Sequence, residues 1–494
     1  MLYGAREFNH DRVSIMGDWD IVMNFNTALF LFLFLPFFLL IYFFAQPRWR
    51  PIIGILASLL FYAWGDAVNL VWIFILILFN YWLGRRLESK PAKWILSLGL
   101  LVNVGVLVAF KIAVTYGDNL LARYGDLLPS RVGNWLDTLT FPLGLSYISF
   151  QLISYLLDVK KGTVKSETSL VAFAFYILLF PKLLAGPIVR YRALADQISA
   201  PILNPQQIAD GARRFLLGFA KKILIADTLA KVVDAVFSLP VGATAPLVGW
   251  LALIGYALQI YYDFSGYTDM AIGLASMMGL RFTENFNNPY IAESVGDFWR
   301  RWHISLSSWF RDYVFYPLER LRIPIVGQSL NILIVFLLTG LWHGIAIEFA
   351  LWGLLHGFFI MLENLFLNRW LRNTFRPIRH IYVLAVLLLT WLIFRAPDLG
   401  YVRDFILFLF GQNQAAYQLS FSATSPLPFI EPSFLLAFAA GILFALPIGS
   451  FIQPRIDKSL PLRIAADVIL LILFVLSVGV MASSQFLPGI YERF

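Results

Sequence analysis

The sequence predicts an all-α polytopic integral membrane protein of about ten to twelve transmembrane helices, and three observations carry that prediction. Of its 494 residues, 59% are hydrophobic and only 14% are charged, where a soluble domain carries about 25% charged residues. Apolar runs recur along the whole chain, and a hydrocarbon core of about 30 Å needs about 20 apolar helical residues to cross it. The Lys and Arg behind the net charge of +8 sit mostly in short loops beside those runs. That distribution orients membrane helices and gives no argument for nucleic acid. Cysteine is absent, which excludes a disulfide framework, a thiol nucleophile and a thiolate metal site.

Residues 1–22 are polar and lack the short apolar core and small-residue cleavage site of a signal peptide. They are expected to be a flexible extension, or the product of an upstream start codon, ahead of a single membrane-embedded domain over 23–494. Apolar windows then predict spans near 27–45, 51–65, 68–84, 94–115, 141–157, 168–186, 246–262, 329–345, 347–363, 380–394, 433–449 and 463–482. The loops 46–51, 85–93 and 158–165 are basic, and an even number of spans separates them. All three are therefore expected on the cytoplasmic side, with the 117–140 loop outside.

Two segments do not read as ordinary spans. Residues 201–237 show an amphipathic helical pattern with Arg213, Arg214, Lys221 and Lys222 among apolar residues, suited to the membrane interface or to a seat against other helices. Residues 279–325 are polar and aromatic, and Asn285, Asn287 and Asn288 before Pro289 signal a turn. Irregular backbone at membrane depth survives only where protein or a water-filled cavity satisfies it.

The chemistry-bearing residues concentrate between Gln259 and His356, and ionisable groups at membrane depth mark a pathway or an active site. His343 lies in Thr339-Gly-Leu-Trp342-His343-Gly344, late in an apolar run, with glycines that let another backbone or a substrate approach. A neutral imidazole there suits a general base; a helix-packing histidine fits the residue pattern equally well. His303 follows Arg300 and Arg301, cations suited to phosphate or carboxylate, and precedes Ser305, Ser307 and Ser308. On a continuous helix Trp299, Trp302 and Trp309 share roughly one face, as an interfacial aromatic belt would. Tyr262, Ser265 and Asp269 fall on one helical stripe, and Asp263 and Asp269 are expected to pair with Arg300, Arg301 or Arg311. His356 stands 13 residues beyond His343, about 20 Å along a continuous helix, so the two share no ligand unless that helix breaks. No metal-ligand spacing or glycine-rich phosphate loop is present, so neither a metal nor nucleotide hydrolysis is expected.

Taken in order, Pro142–Gln151, Phe180–Pro187, the 259–318 segment, Trp342-His343-Gly344, Leu392–Ala396 and Ile490–Phe494 make the chain from about Met23 onward resemble the membrane-bound O-acyltransferase family. The likeness is to its branch of alginate O-acetyltransferase membrane subunits and teichoic-acid D-alanyl transferases. The resemblance implies a ring of helices around a thin central wall pierced by a channel, with interfacial and re-entrant helices. It also implies a multi-pass location in the bacterial plasma membrane. It makes His343 the catalytic residue and His303 a second histidine at the reaction centre. It gives Asp263, Ser265, Asp269, Arg300, Arg301 and Trp342 as channel or structural support. The donor it implies is acetyl-CoA or another acyl thioester, with no bound cofactor, and the acceptor is an extracytoplasmic polysaccharide. A separate hydrolase-like acetyltransferase is the implied partner. D-alanyl transfer is the enzymatic alternative and a transporter or channel the non-enzymatic one. Glu348 and the Val314–Arg320 segment depart from the alginate-type pattern and bear on the substrate.

Overall fold

A computed structural model of the chain describes residues 23–124, 139–321, 327–412 and 430–483. The expectations for residues 1–22, for residues 125–138 of the outward loop and for the ending Ile490–Phe494 lie outside the described residues. Helices and turns account for the secondary structure, with no strand among the described residues, as hydrocarbon demands when every backbone group must be satisfied within its own segment. The protein is an all-α, multi-pass membrane protein. Each predicted apolar window contains a helix, although in 168–186 it covers only Leu170–Leu178 and a 3-10 turn at Phe180–Lys182. Six of these helices are long and apolar enough to cross a membrane, or seven if Pro432–Ala445 and Ile448–Lys458, bent by 77°, make one span. The remaining windows fold as helices of 17 residues or fewer.

Contacts divide the described residues into two compact units. The first runs to Ile208 and adds Ala275–Phe282. It contains α1 (Phe30–Phe44), α2 (Arg50–Asp66), α3 (Leu70–Ser89), α4 (Lys93–Tyr124), α5 (Leu145–Lys161) and α6 (Leu170–Leu178). Asn80 and Asn103, both fully buried, join α3 to α4 by exchanging amide hydrogen bonds of 3.1 and 2.8 Å. Such polar contacts hold helices together where lipid offers no hydrophobic driving force. Gly144 caps the start of helix α5, and its φ of +68° and closeness to the Leu183 carbonyl (2.4 Å from a built Cβ) leave no room for a side chain.

The second unit comprises Ala209–Leu274 and the chain from Thr283 onward. The amphipathic segment folds as α7 (Pro205–Ala220), a π-helical stretch (Lys221–Asp227) and α8 (Thr228–Ser238), followed by the long α9 (Pro246–Met277). Arg214, Lys221 and Lys222 seat it against α9 through Asp269 and Asp263, whereas Arg213 is partly exposed and pairs with Asp210 and Asp467. Gly218 meets the Gly266 carbonyl and Gly273 meets that of Gly211, each within 2.6 Å of a built Cβ. Two glycine crossings, seven residues apart on both helices, bring the backbones together. Helices α10 (Val295–Arg301) and α11 (Ile304–Phe310), the hairpin of α12 (Gly327–His343) and α13 (Ile347–Leu362), and α14 (Arg376–Arg395) then build the region that holds both histidines.

Candidate active site

The helix expected to run through His303 is broken there. Ser294 caps α10, its Oγ accepting from the Asp297 N–H at 3.0 Å, and Glu363 accepts from the N–H groups of Val295 and Gly296 at 2.5 and 2.9 Å. Helix α10 ends at Arg301, and His303 adopts a left-handed conformation (φ 43°, ψ 54°) before α11 begins. A non-glycine residue held this way costs about 1–3 kcal/mol and persists only where its surroundings fix it. Trp299, Trp302 and Trp309 therefore do not share a face of one continuous helix.

Asn285 fixes the break. Its backbone carbonyl accepts from the Ile304 N–H at 2.9 Å, and its side-chain Oδ1 accepts from the Ser305 N–H at 3.1 Å and the Ser305 hydroxyl at 2.9 Å. A backbone N–H only donates, so the contact from Ser305 identifies Oδ1 as the amide's oxygen. The His303 Nδ1 lies 3.1 Å from the same Oδ1 and must therefore carry the proton, which makes Nε2 the accepting nitrogen of a neutral ring. Burial keeps the ring neutral, pushing its pKa down to about 3. In the sequence Asn285 reads only as a turn residue. Its neighbour Asn288, also left-handed at φ 43°, meets that expectation.

His343 is the last residue of α12 and is buried. The chain reverses over Gly344–Ala346, so α12 and α13 pack as a tight hairpin and the continuous helix considered for His343 and His356 does not exist. A Cβ built on Gly340 would lie 2.2 Å from the Phe349 carbonyl oxygen, and one on Gly353 the same distance from that of Phe336. The reversal places Trp352 against both histidines, with ring centroids 5.1 Å from His343 and 5.1 Å from His356. Phe394 of α14 packs edge-on to His343 at 5.4 Å. Trp342 lies 4.7 Å from His343 and 6.2 Å from His303, so the two histidines named from the sequence share one aromatic cluster. Phe264 of α9 closes it, edge-on to His303 at 4.8 Å.

The carboxylates pair differently from the expectation. Asp263 accepts from Lys222 at 2.6 Å, and Lys222 also reaches Asp227 at 2.7 Å. Asp269 accepts from Arg214 at 2.9 Å and Lys221 at 2.6 Å. Arg300 and Arg301 pair instead with Asp297 of their own helix, and Arg311 with Asp312. Helical periodicity shows which face a carboxylate occupies and is silent on what faces it. The partners came from the amphipathic segment, because the glycine crossings draw α7 onto α9.

Two cavities flank the cluster. The larger, about 1060 Å³, includes Ile304, next to His303, and Thr339, one turn before His343. Six arginines line it, among them Arg300, Arg301 and Arg372, against three carboxylates. The smaller, about 160 Å³, is lined by Ser265, Asp269 and Asn285, the residue that touches His303. His303 lines neither space, but its chain neighbour Ile304 lines the cationic chamber and its contact Asn285 the small polar one. Arg300, Arg301, Ser265 and Asp269 line these spaces, whereas Asp263 belongs to a buried ion pair away from both. Among the described residues no three His, Cys, Asp or Glu side chains could jointly hold a metal ion.

Residues 55–399 match the membrane-bound O-acyltransferase (MBOAT) family. The chain is 35% identical to the probable alginate O-acetylase AlgI of Pseudomonas putida, over 96% of this chain and 100% of that protein. It is 32% identical to the peptidoglycan O-acetyltransferase of Helicobacter pylori, over 76% and 78% of the two chains. Identity to the teichoic acid D-alanyltransferase of Bacillus subtilis is also 32%, over 46% of this chain and 60% of that one.

Proposed function

This chain belongs to the membrane-bound O-acyltransferase family, and we propose that it moves an acetyl group from a cytoplasmic thioester toward hydroxyls of an extracytoplasmic polysaccharide. The observation that carries the reading is the placement of His303 and His343 in one aromatic cluster beside a cationic chamber. A thioester such as acetyl-CoA carries phosphates, and an excess of arginine suits them because guanidinium groups bind phosphate oxygens in pairs. The match to an alginate O-acetylase over nearly the full chain favours acetyl over D-alanyl, whose named relative covers less than half of it.

In the proposed step His343 accepts the proton of the acceptor hydroxyl as that oxygen forms a bond to the acyl carbon. The C–S bond breaks, and the imidazolium returns the proton to the departing thiolate. His303, with its proton on Nδ1, presents Nε2 as an acceptor and so orients a reactant hydroxyl. A ring in that form has no proton on Nε2 to donate to an oxyanion, which favours the orienting role. From its place in the bacterial plasma membrane the protein delivers the acyl group to a hydroxyl of the polymer itself, or to one of a separate extracytoplasmic acetyltransferase that completes the transfer. Replacing His343 by Gln keeps a polar side chain and removes the base. Acetyl transfer by the purified, reconstituted protein is expected to fall by about 10²–10⁴-fold. Activity within a few-fold of wild type would overturn the assignment.

A further inference from the structure

We infer that the small cavity beside Asn285 is an acceptor subsite that binds a neutral, hydroxyl-bearing edge of a sugar ring. The inference rests on the proposed acyl transfer and extends it to the acceptor. Two residues that line this cavity each carry a buried polar atom without a hydrogen-bond partner among the described residues, the Ser265 hydroxyl and the Asn285 Nδ2. Ser265 is 2% exposed and Asn285 is fully buried. A buried polar atom left unsatisfied costs about 1–3 kcal/mol, so two in one cavity point to an occupant.

The rest of each neighbourhood is committed. Thr268, one turn along α9, donates its hydroxyl back to the Phe264 carbonyl at 2.8 Å, the usual resort of a hydroxyl inside a helix; Ser265 does not. The Asn285 amide cannot turn over to hide its NH₂, because Oδ1 is held by the Ser305 N–H and hydroxyl. Nδ2 is therefore a fixed donor, and Ser265 supplies a hydroxyl that donates or accepts.

Charge decides the kind of ligand. Arg214 and Lys221 border the cavity, which on its own suggests an anion. Yet Arg214 spends its N–H groups on Asp269 and on Glu284, the latter at 2.6 and 2.5 Å, and Lys221 binds Asp269. Two cations against two carboxylates leave no net charge to attract a carboxylate. The volume of about 160 Å³ holds about five waters at about 30 Å³ each, and so part of one sugar ring but no longer segment. Phe286 gives the cavity an apolar wall. Because Asn285 also touches His303, a ring seated here would hold a neighbouring hydroxyl close to the histidine cluster.

The test uses the full-length reconstituted protein, acetyl-CoA, and two acceptors: unacetylated alginate oligosaccharides and their carboxyl-reduced, uncharged counterparts. Ser265→Ala removes one hydroxyl that no protein group among the described residues uses, so its thermal unfolding should match wild type. Losing one neutral hydrogen bond should raise the acceptor KM by about 3–10-fold for both acceptors, with kcat and the donor KM within a few-fold. Should the alanine protein be unstable, Ser265→Cys keeps the side-chain shape with a slightly larger atom, weakens the hydrogen bond and should shift KM the same way. An unchanged acceptor KM in an active enzyme would mean that only water fills the cavity, overturning the inference while leaving the acyl transfer intact. A KM effect confined to the carboxylate-bearing acceptor would overturn it in favour of an anion site. Absence of transfer by wild type to either acceptor would overturn direct transfer to a sugar, and this inference with it.

Discussion

Replacing Gly340 by Ala tests whether the α12–α13 hairpin, by holding His343 in place, controls activity. A Cβ at this position would lie 2.2 Å from the Phe349 carbonyl oxygen, 3.0 Å from its carbon and 3.4 Å from the Gly353 Cα. A carbon-to-oxygen contact needs about 3.3 Å, so α13 must withdraw by about 1 Å. The obstruction is backbone, which cannot rotate aside as a side chain would. In a helix interior alanine gains about 1 kcal/mol over glycine, while overpacking costs about 1–3 kcal/mol. The net loss of stability is therefore at most about 2 kcal/mol, and the protein should still insert and accumulate. Activity should suffer more, because Trp352 on α13 packs against the His343 ring at 5.1 Å. A displacement of about 1 Å at a reacting group costs on the order of 10²-fold in rate. The measurement is the initial rate of acetyl transfer by purified protein beside its thermal unfolding, with Gly479→Ala as control, since nothing lies within 4 Å of that position. A Gly340→Ala protein within a few-fold of wild-type rate would refute the reasoning.

Other outcomes follow from single residues. Burial lowers the His303 pKa to about 3, whereas in the unfolded chain it titrates near 6.5. Between these values the unfolded state binds the extra proton, so stability is full above about pH 6.5 and falls as the pH drops below it. Unfolding between about pH 6.5 and pH 5 should show a loss of stability of which His303→Gln removes about 2 kcal/mol; an identical pH profile in both proteins would contradict a neutral, buried ring. For orientation in the membrane, single cysteines at Ser130 and Thr163 in this cysteine-free chain should react differently with an impermeant thiol reagent in intact cells. Only the former should label, because the basic 158–165 loop is expected inside; equal or reversed labelling would overturn the proposed direction of transfer.

The helices were legible in the sequence because a bilayer imposes length and apolarity on each segment separately. Every apolar window contains a helix, among them α12 and α13, although several are too short to span on their own. His343 and His303 were legible as candidates, since a histidine beside glycines or arginines within apolar sequence is rare enough to notice. Their meeting through Trp342 was not, for it depends on a hairpin and a helix break that lie in no single window.

The sequence by itself determined the class of protein, the residues able to carry chemistry and the amphipathic character of residues 201–237. Tertiary structure decided the partners. Asp263 and Asp269 took Lys222, Lys221 and Arg214 in place of the nearby arginines, because Gly211, Gly218, Gly266 and Gly273 let two backbones close to contact. Asn285, an ordinary turn residue in the sequence, became the group that sets the His303 tautomer and faces the small cavity. The physical reason is the range of the forces involved. Hydrophobic burial and helix formation act on short stretches and leave a periodic trace in the sequence. A hydrogen bond or ion pair acts over about 3 Å between residues far apart in the chain, and its partner is fixed only once the helices have packed.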